Sequence, residues 1–389
     1  MDSVGRFFNP PSDSFFLFGP RGTGKSTLLE SAFPDAVFVD LLDPDAYRAY
    51  VSRPERLREL VEGNPQVTRF VIDEIQKAPA LLDVVHQLIE QKKLRPLQFI
   101  LTGSSSRKLR RSGVNLLAGR VLLKTLHPFL AAELGDRFSL EQSLRLGLLP
   151  LVLAAKDPEE TLRSYVSLYL REEVQAEGLV RDIGNFARFL ETMSFSHASQ
   201  LNASEIARDC QVGRKAVEGF VEILEDLLLG FRLTAFTRKA KRHLVQHPKF
   251  YFMDAGVFRS LRPKGPLDAP EEISGAALEG LVAQQLRAWI AYGRKERSLH
   301  FWRTKSGVEV DFIVYGADAF LALEVKSSRR ASSKDVRALK TFLEDYPGAR
   351  AVLLYGGKER VMVDGIPCFP CADFLSRLIP DAPVSKLLA

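Results

Sequence analysis

The sequence is poor in cysteine, with three in 389 residues: Cys210, Cys368 and Cys371. So sparse and odd a count argues against a disulfide scaffold and fits a reducing compartment. Cys368-Phe369-Pro370-Cys371 is a lone C-x-x-C with no second Cys or His pair after it. A zinc site would need that pair, so these read as two incidental thiols. Long apolar runs are also missing. The best candidate, Leu146 to Ala155, is far too short for a bilayer and contains Pro150, so no membrane contact is expected. The opening Met1-Asp2-Ser3 shows neither a basic nor an apolar signal segment, and a cytoplasmic location is expected. Neither sign of charge dominates: 54 Lys and Arg against 48 Asp and Glu give a net charge of +6. That balance is only a faint pointer to nucleic acid, and where the charge sits matters more.

What is present is domain-sized. A chain of 389 residues is too long for one compact core, which predicts two or three domains. In residues 1–130, apolar segments at 15–18, 36–39, 70–72, 98–102 and 121–125 alternate with amphipathic helical patterns such as 26–32 and 81–91. That rhythm predicts an α/β fold with a mainly parallel sheet. Residues 131–265 are mostly helical. Residues 270–389 open with a helix over 275–291 and continue with strands near 299–303, 308–315, 319–326 and 350–355, interrupted by a helix near 333–345. The Pro- and Gly-bearing segment 262–270 reads as the linker before them.

Gly19-Pro20-Arg21-Gly22-Thr23-Gly24-Lys25-Ser26 fits G-x4-G-K-[ST], with an apolar strand before it and a helix after it. A loop at that junction turns its backbone N–H groups around a phosphate, and the helix N-terminus adds favourable field. The cofactors predicted are ATP and Mg²⁺. Lys25 would reach the β- and γ-phosphates, Ser26 would ligate Mg²⁺, and residues 19–26 with Thr27 would line the nucleotide. Some fifty residues on, Arg69-Phe70-Val71-Ile72-Asp73-Glu74 is a buried strand ending in two acids. Asp73 would hold the metal, and Glu74 would act as general base on the attacking water. The next strand runs into Gly103-Ser104-Ser105-Ser106. Ser104 there either senses the γ-phosphate or caps a helix.

Leu116-Leu117-Ala118-Gly119-Arg120, just before the strand at 121–125, resembles the AAA+ superfamily. The resemblance implies that Arg120 is an arginine finger serving a neighbouring subunit, and hence a homo-oligomer, a ring or another form; a surface arginine is the alternative.

In the middle stretch, Ser204 caps a short helix, a turn follows at Val212-Gly213, and 214–227 forms a longer amphipathic helix. Strand-like runs at 231–236 and 249–253 flank Thr237-Arg238-Lys239-Ala240-Lys241-Arg242-His243. This pattern reads as a winged helix whose basic wing offers Arg238, Lys239, Lys241 and Arg242 to DNA phosphates. An oligomer or lid module is the alternative, since Glu218, Glu222 and Glu225 crowd the exposed side of the second helix.

Further on, Glu279 lies in a helix, Asp311 on one strand, and Glu324 with Lys326 share a face of the next. Glu279, Asp311 and Glu324 would bind Mg²⁺, and Asp311, Glu324 and Lys326 would form the catalytic set. This order resembles the PD-(D/E)XK nuclease fold, so an α/β restriction-endonuclease-like C-terminal domain is expected. As a whole the chain resembles the prokaryotic AAA+ ATPases that carry domain of unknown function 4143, with Ile75-Gln76-Lys77 typical of that group. The expected function is an ATP-hydrolysing machine acting on DNA. The alternative is a nucleotide-dependent switch that binds proteins.

Overall fold

The computed structural model describes residues 4–91, 96–104, 119–169, 183–238, 242, 244, 247–266 and 268–388. It divides into two compact units: residues 8–127 with 226–228, and the remainder.

The first unit is built on five parallel strands. These are β1 (Phe15–Phe18), β2 (Val37–Asp40), β3 (Arg69–Asp73), β4 (Gln98–Gly103) and β5 (Leu122–Thr125), in the order β2-β3-β4-β1-β5. Strands covered on both faces read as continuous apolar runs, and β1 (FFLF) is buried at every position. Phe16, Phe18, Phe70, Ile72 and Leu101 share a core with Leu81, Leu82 and Val85 of helix Leu81–Glu90. All five strands run the same way, with Phe18 opposite Gly103 and Ile72 opposite Leu101. The carboxyl ends of β1, β3 and β4 therefore lie along one edge, where open α/β sheets bind ligands.

In the second unit, helix Ile183–Phe195 precedes β6 (Ser199–Gln200), helices Ala203–Cys210 and Arg214–Asp226, β7 (Gly230–Leu233) and β8 (Lys249–Phe252). The three strands pair antiparallel in the order β6-β8-β7. The helix cap is Asn202 and not Ser204: the Asn202 side chain accepts from the Glu205 N–H at 3.3 Å. Phe186, Phe189 and Phe220 pack ring to ring between the first and third of these helices.

A six-stranded mixed sheet follows, made of β9 (Arg297–Arg303), β10 (Glu309–Gly316), β11 (Ala319–Lys326), β12 (Arg350–Tyr355), β13 (Val361–Val363) and β14 (Ile366–Pro370). Its order is β13-β14-β12-β11-β10-β9. Helix Arg337–Asp345 covers it with Leu339 and Phe342, against Trp302, Val310, Ile313 and Leu353. The middle and last stretches, expected as separate domains, share this compact unit. The segment after β7 joins the sheet: Ala235 bridges Phe301, the Phe236 N–H donates to Phe301 O at 2.7 Å, and the Phe236 ring enters the core beside Trp302, Phe342 and Tyr346.

His197, next to β6, is buried against Phe258, with ring centroids 4.0 Å apart, and its Nδ1 accepts from the Phe252 N–H at 3.1 Å. Burial pushes its pKa down to about 3. A folded-state pKa below the unfolded value of about 6.5 means that the stabilisation is complete above pH 6.5 and is lost as pH falls toward 3. The wild type should therefore lose about 1.4 kcal/mol per pH unit below pH 6 relative to a His197→Phe variant, in urea titrations followed by tryptophan fluorescence. Parallel pH profiles for the two proteins would remove His197 as the cause.

Candidate functional site

The loop after β1 is made by two glycines in the left-handed region, Gly22 at φ 81° and Gly24 at φ 82°. Gly19 has no room for a side chain, since a Cβ there would lie 2.6 Å from Leu126 O. Thr23 Oγ1 donates to Pro20 O at 2.8 Å, and Lys25 Nζ donates to Gly19 O at 2.7 Å and Pro20 O at 3.3 Å. The lysine is thus buried inside the loop, with its ammonium at the loop's own carbonyls. Helix α1 (Lys25–Ala32) starts at Gly24 with no side-chain cap and no acid in its first turn. Its N–H groups and dipole are left to attract an anion. Arg21, Ser26 and Thr27 are exposed on the same loop and first turn.

The acids at the end of β3 meet this loop. Ser26 Oγ donates to Asp73 Oδ2 at 2.6 Å, and Thr102 Oγ1 donates to the other carboxylate oxygen, Oδ1. Two oxygens so placed fit a Mg²⁺ ion, which favours oxygen ligands and keeps several of its waters. Glu74 follows in a left-handed conformation, φ 59° and ψ 46°, that is uncommon for a non-glycine residue. Its N–H donates to Thr102 Oγ1 at 3.2 Å.

Gln76 was not foreseen in this site. Its Nε2 donates to the Glu74 carboxylate and, at 3.3 Å, to Ser104 Oγ. Gly103 makes room for it, because a Cβ there would come within 2.4 Å of Gln76 Oε1. The triplet Ile75-Gln76-Lys77 drew notice as a motif, but nothing in the sequence showed that its glutamine would turn back under the neighbouring acid.

Arg120 lies elsewhere in the unit. It precedes β5, whose Leu122 pairs with Phe15 at the start of β1, so it stands at the sheet edge away from the loop. There it pairs with Glu90 and lines a cavity of about 1030 Å³ with Asp13, Arg69 and Gln98. Leu116, Leu117, Ala118, Ser105 and Ser106 lie outside the described residues.

Residues 12–135 match the family model described as an AAA domain. Residues 274–374 match domain of unknown function 4143, and residues 137–268 match domain of unknown function 8612. The chain carries an AAA domain and a domain of unknown function 4143. Over 382 residues it is 26% identical to the uncharacterized protein Rv2008c of Mycobacterium tuberculosis, covering 96% of this chain and 82% of that protein. The uncharacterized protein Mb2031c of Mycobacterium bovis gives the same figures. Among solved structures, the replication initiator DnaA bound to AMPPCP and single-stranded DNA is 16% identical, with TM-score 0.29, over 55% of this chain and 82% of that one. A RuvB variant from Thermotoga maritima is 15% identical, with TM-score 0.29, over 57% and 82%.

Downstream of the AAA domain, Arg238 and Arg242 of the expected basic wing are exposed, and each also has a partner within the protein. Arg242 donates to Asp345 Oδ2 at 2.8 Å and to Glu344 Oε2 at 2.9 Å, and the Arg238 guanidinium stacks 4.8 Å from the Tyr315 ring centroid. The anchoring of Phe236 draws the segment toward the end of helix Arg337–Asp345, where these carboxylates stand. Lys239 and Lys241 lie outside the described residues.

In the domain of unknown function 4143, Asp311, Glu324, Lys326 and Glu279 do come together, but with a lysine among them. Lys249 of β8, 2% exposed, places its Nζ 2.9 Å from Glu279 Oε1 and 3.5 Å from Asp311 Oδ1, and pairs also with Glu309. Tyr251, two residues on along the same face, donates to Glu279 Oε1 at 2.7 Å. Asp311 Oδ2 accepts from the Val325 N–H at 2.9 Å, Arg303 bonds Glu309 Oε2 at 2.7 Å, and Lys326 Nζ bonds Glu324 Oε1 at 2.6 Å.

Burial and the Asp311 charge raise Glu279 to about 7 and push Glu324 well above the usual carboxylate range. Burial works against the Lys249 charge, but Tyr251 and the carboxylates of Glu279, Asp311 and Glu309 outweigh that and hold the ammonium well above the ordinary lysine range. Among the described residues, no group of three or more His, Cys, Asp or Glu is arranged to hold a metal ion. The Mg²⁺ site expected at Glu279, Asp311 and Glu324 therefore does not fit these residues as placed, because an ammonium stands between the carboxylates. The strand Pro248-Lys249-Phe250-Tyr251 held the signal: a lysine and a tyrosine two apart on an apolar strand point inward together.

Proposed function

We propose that the chain is a Mg²⁺-dependent ATPase whose nucleotide state controls a macromolecular partner. The 2.6 Å contact between Ser26 and Asp73, beside a loop folded around Lys25, carries this reading. On this reading Lys25 leaves the carbonyls of Gly19 and Pro20 to meet the β- and γ-phosphates, while the N–H groups of α1 hold the β-phosphate. Mg²⁺, held by Ser26 and Asp73, would neutralise charge on the phosphates. Glu74 takes a proton from the attacking water, and Ser104 reports the γ-phosphate to Glu74 through Gln76. Arg120, at the far sheet edge, acts on a neighbouring copy, so the working form is an oligomer.

For the partner, the observations favour a protein-directed switch over a DNA motor. Arg242 is ion-paired with Asp345 and Glu344 and Arg238 lies over the Tyr315 ring, though both stay exposed, and the exposed face of helix Arg214–Asp226 carries Glu218 and Glu222. The DNA reading keeps one specific support: Arg208, Arg214 and Lys215 are exposed around the turn between two helices, where phosphate contacts are commonly made. The two readings separate in ATP hydrolysis measured with duplex, single strand and four-way junction at two salt concentrations. Indifference to every DNA supports the switch. Stimulation that fades with salt overturns it in favour of the motor, because counterion release makes phosphate binding salt-sensitive. Lys25→Ala should remove turnover in every arm, and turnover that survives it would rule out the ATP site itself.

A further inference from the structure

We infer that Lys249 is a built-in cation standing where a divalent metal would sit in a nuclease-like carboxylate cluster, so that this cluster clamps β8 to the sheet and does not cleave DNA. The inference goes beyond the ATPase reading and does not depend on it.

Three observations meet here. The lysine side chain is 2% exposed, and its ammonium touches Glu279, Glu309 and Asp311 from a strand outside the six-stranded sheet. Every carboxylate of the cluster already has a protein donor. Glu279 has Lys249 and Tyr251, Glu309 has Lys249 and Arg303, Asp311 has Lys249 and the Val325 N–H, and Glu324 has Lys326. Lys249, Arg303 and Lys326 thus set three positive charges against the four carboxylates, leaving one negative charge at most. A dication entering between Glu279 and Asp311 would have to displace the ammonium, and a buried lysine has no water to retreat into. The spare oxygen, Glu324 Oε2, is buried without a hydrogen-bond partner and offers a metal one ligand only.

Lysine also explains what the cluster does in place of catalysis. It joins the hairpin β7–β8 to helix Pro270–Tyr292 through Glu279 and to β10 through Glu309 and Asp311. Removing one partner from such a buried network leaves the others uncompensated.

The test counts bound Mn²⁺ by electron paramagnetic resonance on the full chain without nucleotide. The wild type should hold no Mn²⁺ that an Asp311→Asn change removes. Lys249→Met deletes the charge at similar length, and it should bind one Mn²⁺ about tenfold or more tighter than the wild type. Adding Asp311→Asn to that variant should abolish the gain. Two results overturn the inference. One is a wild-type Mn²⁺ lost in Asp311→Asn and kept in Asp73→Asn, which is decisive whether or not Lys249→Met folds. The other is a folded Lys249→Met protein that gains no metal. ATP turnover enters neither outcome, so failure here leaves the ATPase reading standing and the reverse also holds.

Discussion

Replacing Glu74 with Gln should leave ATP binding intact and slow hydrolysis by about 10²–10⁴-fold, the range that a positioned general base contributes. The substitution keeps the shape of the side chain and its hydrogen bond to Gln76 while removing the basic oxygen. Affinity should hold, because the groups proposed to hold the phosphates are Lys25 and the N–H groups of α1, on a different element from Glu74. Single-turnover hydrolysis and nucleotide binding, measured on the same sample, separate the two effects. A variant that turns over ATP within about threefold of the wild type would remove Glu74 as the base. One that fails to bind would mean that Glu74 supports the loop itself, contrary to the geometry described.

Phe236→Ala should cost the second unit about 3–5 kcal/mol, the usual range for truncating a buried phenylalanine. The ring is 2% exposed and meets Tyr315, Phe320 and Tyr346 with centroids 5.4–5.6 Å away. Cutting it to a methyl leaves a cavity lined by aromatic side chains that cannot all move inward together. The readout is unusually clean, because the protein has two tryptophans, Trp289 and Trp302, and both are buried in this unit. Urea titration by tryptophan fluorescence therefore follows the second unit alone. A midpoint unchanged from the wild type would mean that the segment after β7 does not hold the sheet.

Much of the AAA domain was legible in the sequence because its signals are local. A phosphate loop needs contiguous glycines, a strand before it and a helix after it, and β1, β3 and β4 fall within a residue of the segments expected. Asp73 and Glu74 follow from the end of a buried run. The hairpin of β13 and β14 was missed although Asp364-Gly365, both at positive φ, is a common turn between paired strands.

The second unit was harder to read for a physical reason. Arg242 is solvated, as a basic residue usually is, but its partner Asp345 lies more than a hundred positions away in the chain and no local pattern reveals it. The strand pattern around Lys249 shows only that it points inward with Tyr251; its partners Glu279, Glu309 and Asp311 lie 30 or more positions further along the chain. Spacing along one strand could group Glu324 with Lys326, and nothing in the sequence could place the ammonium of β8 among them.

Phe236 and Lys249 enter the six-stranded sheet from the same hairpin, one as a ring and the other as a charge. Division of the gene at residues 262–270 would therefore not yield two working pieces. The upstream fragment would carry an aromatic ring and an ammonium with nowhere to go, and the downstream one a set of crowded carboxylates with no counter-charge. The two matched regions on either side of that linker are tied to each other as a lock is to its key.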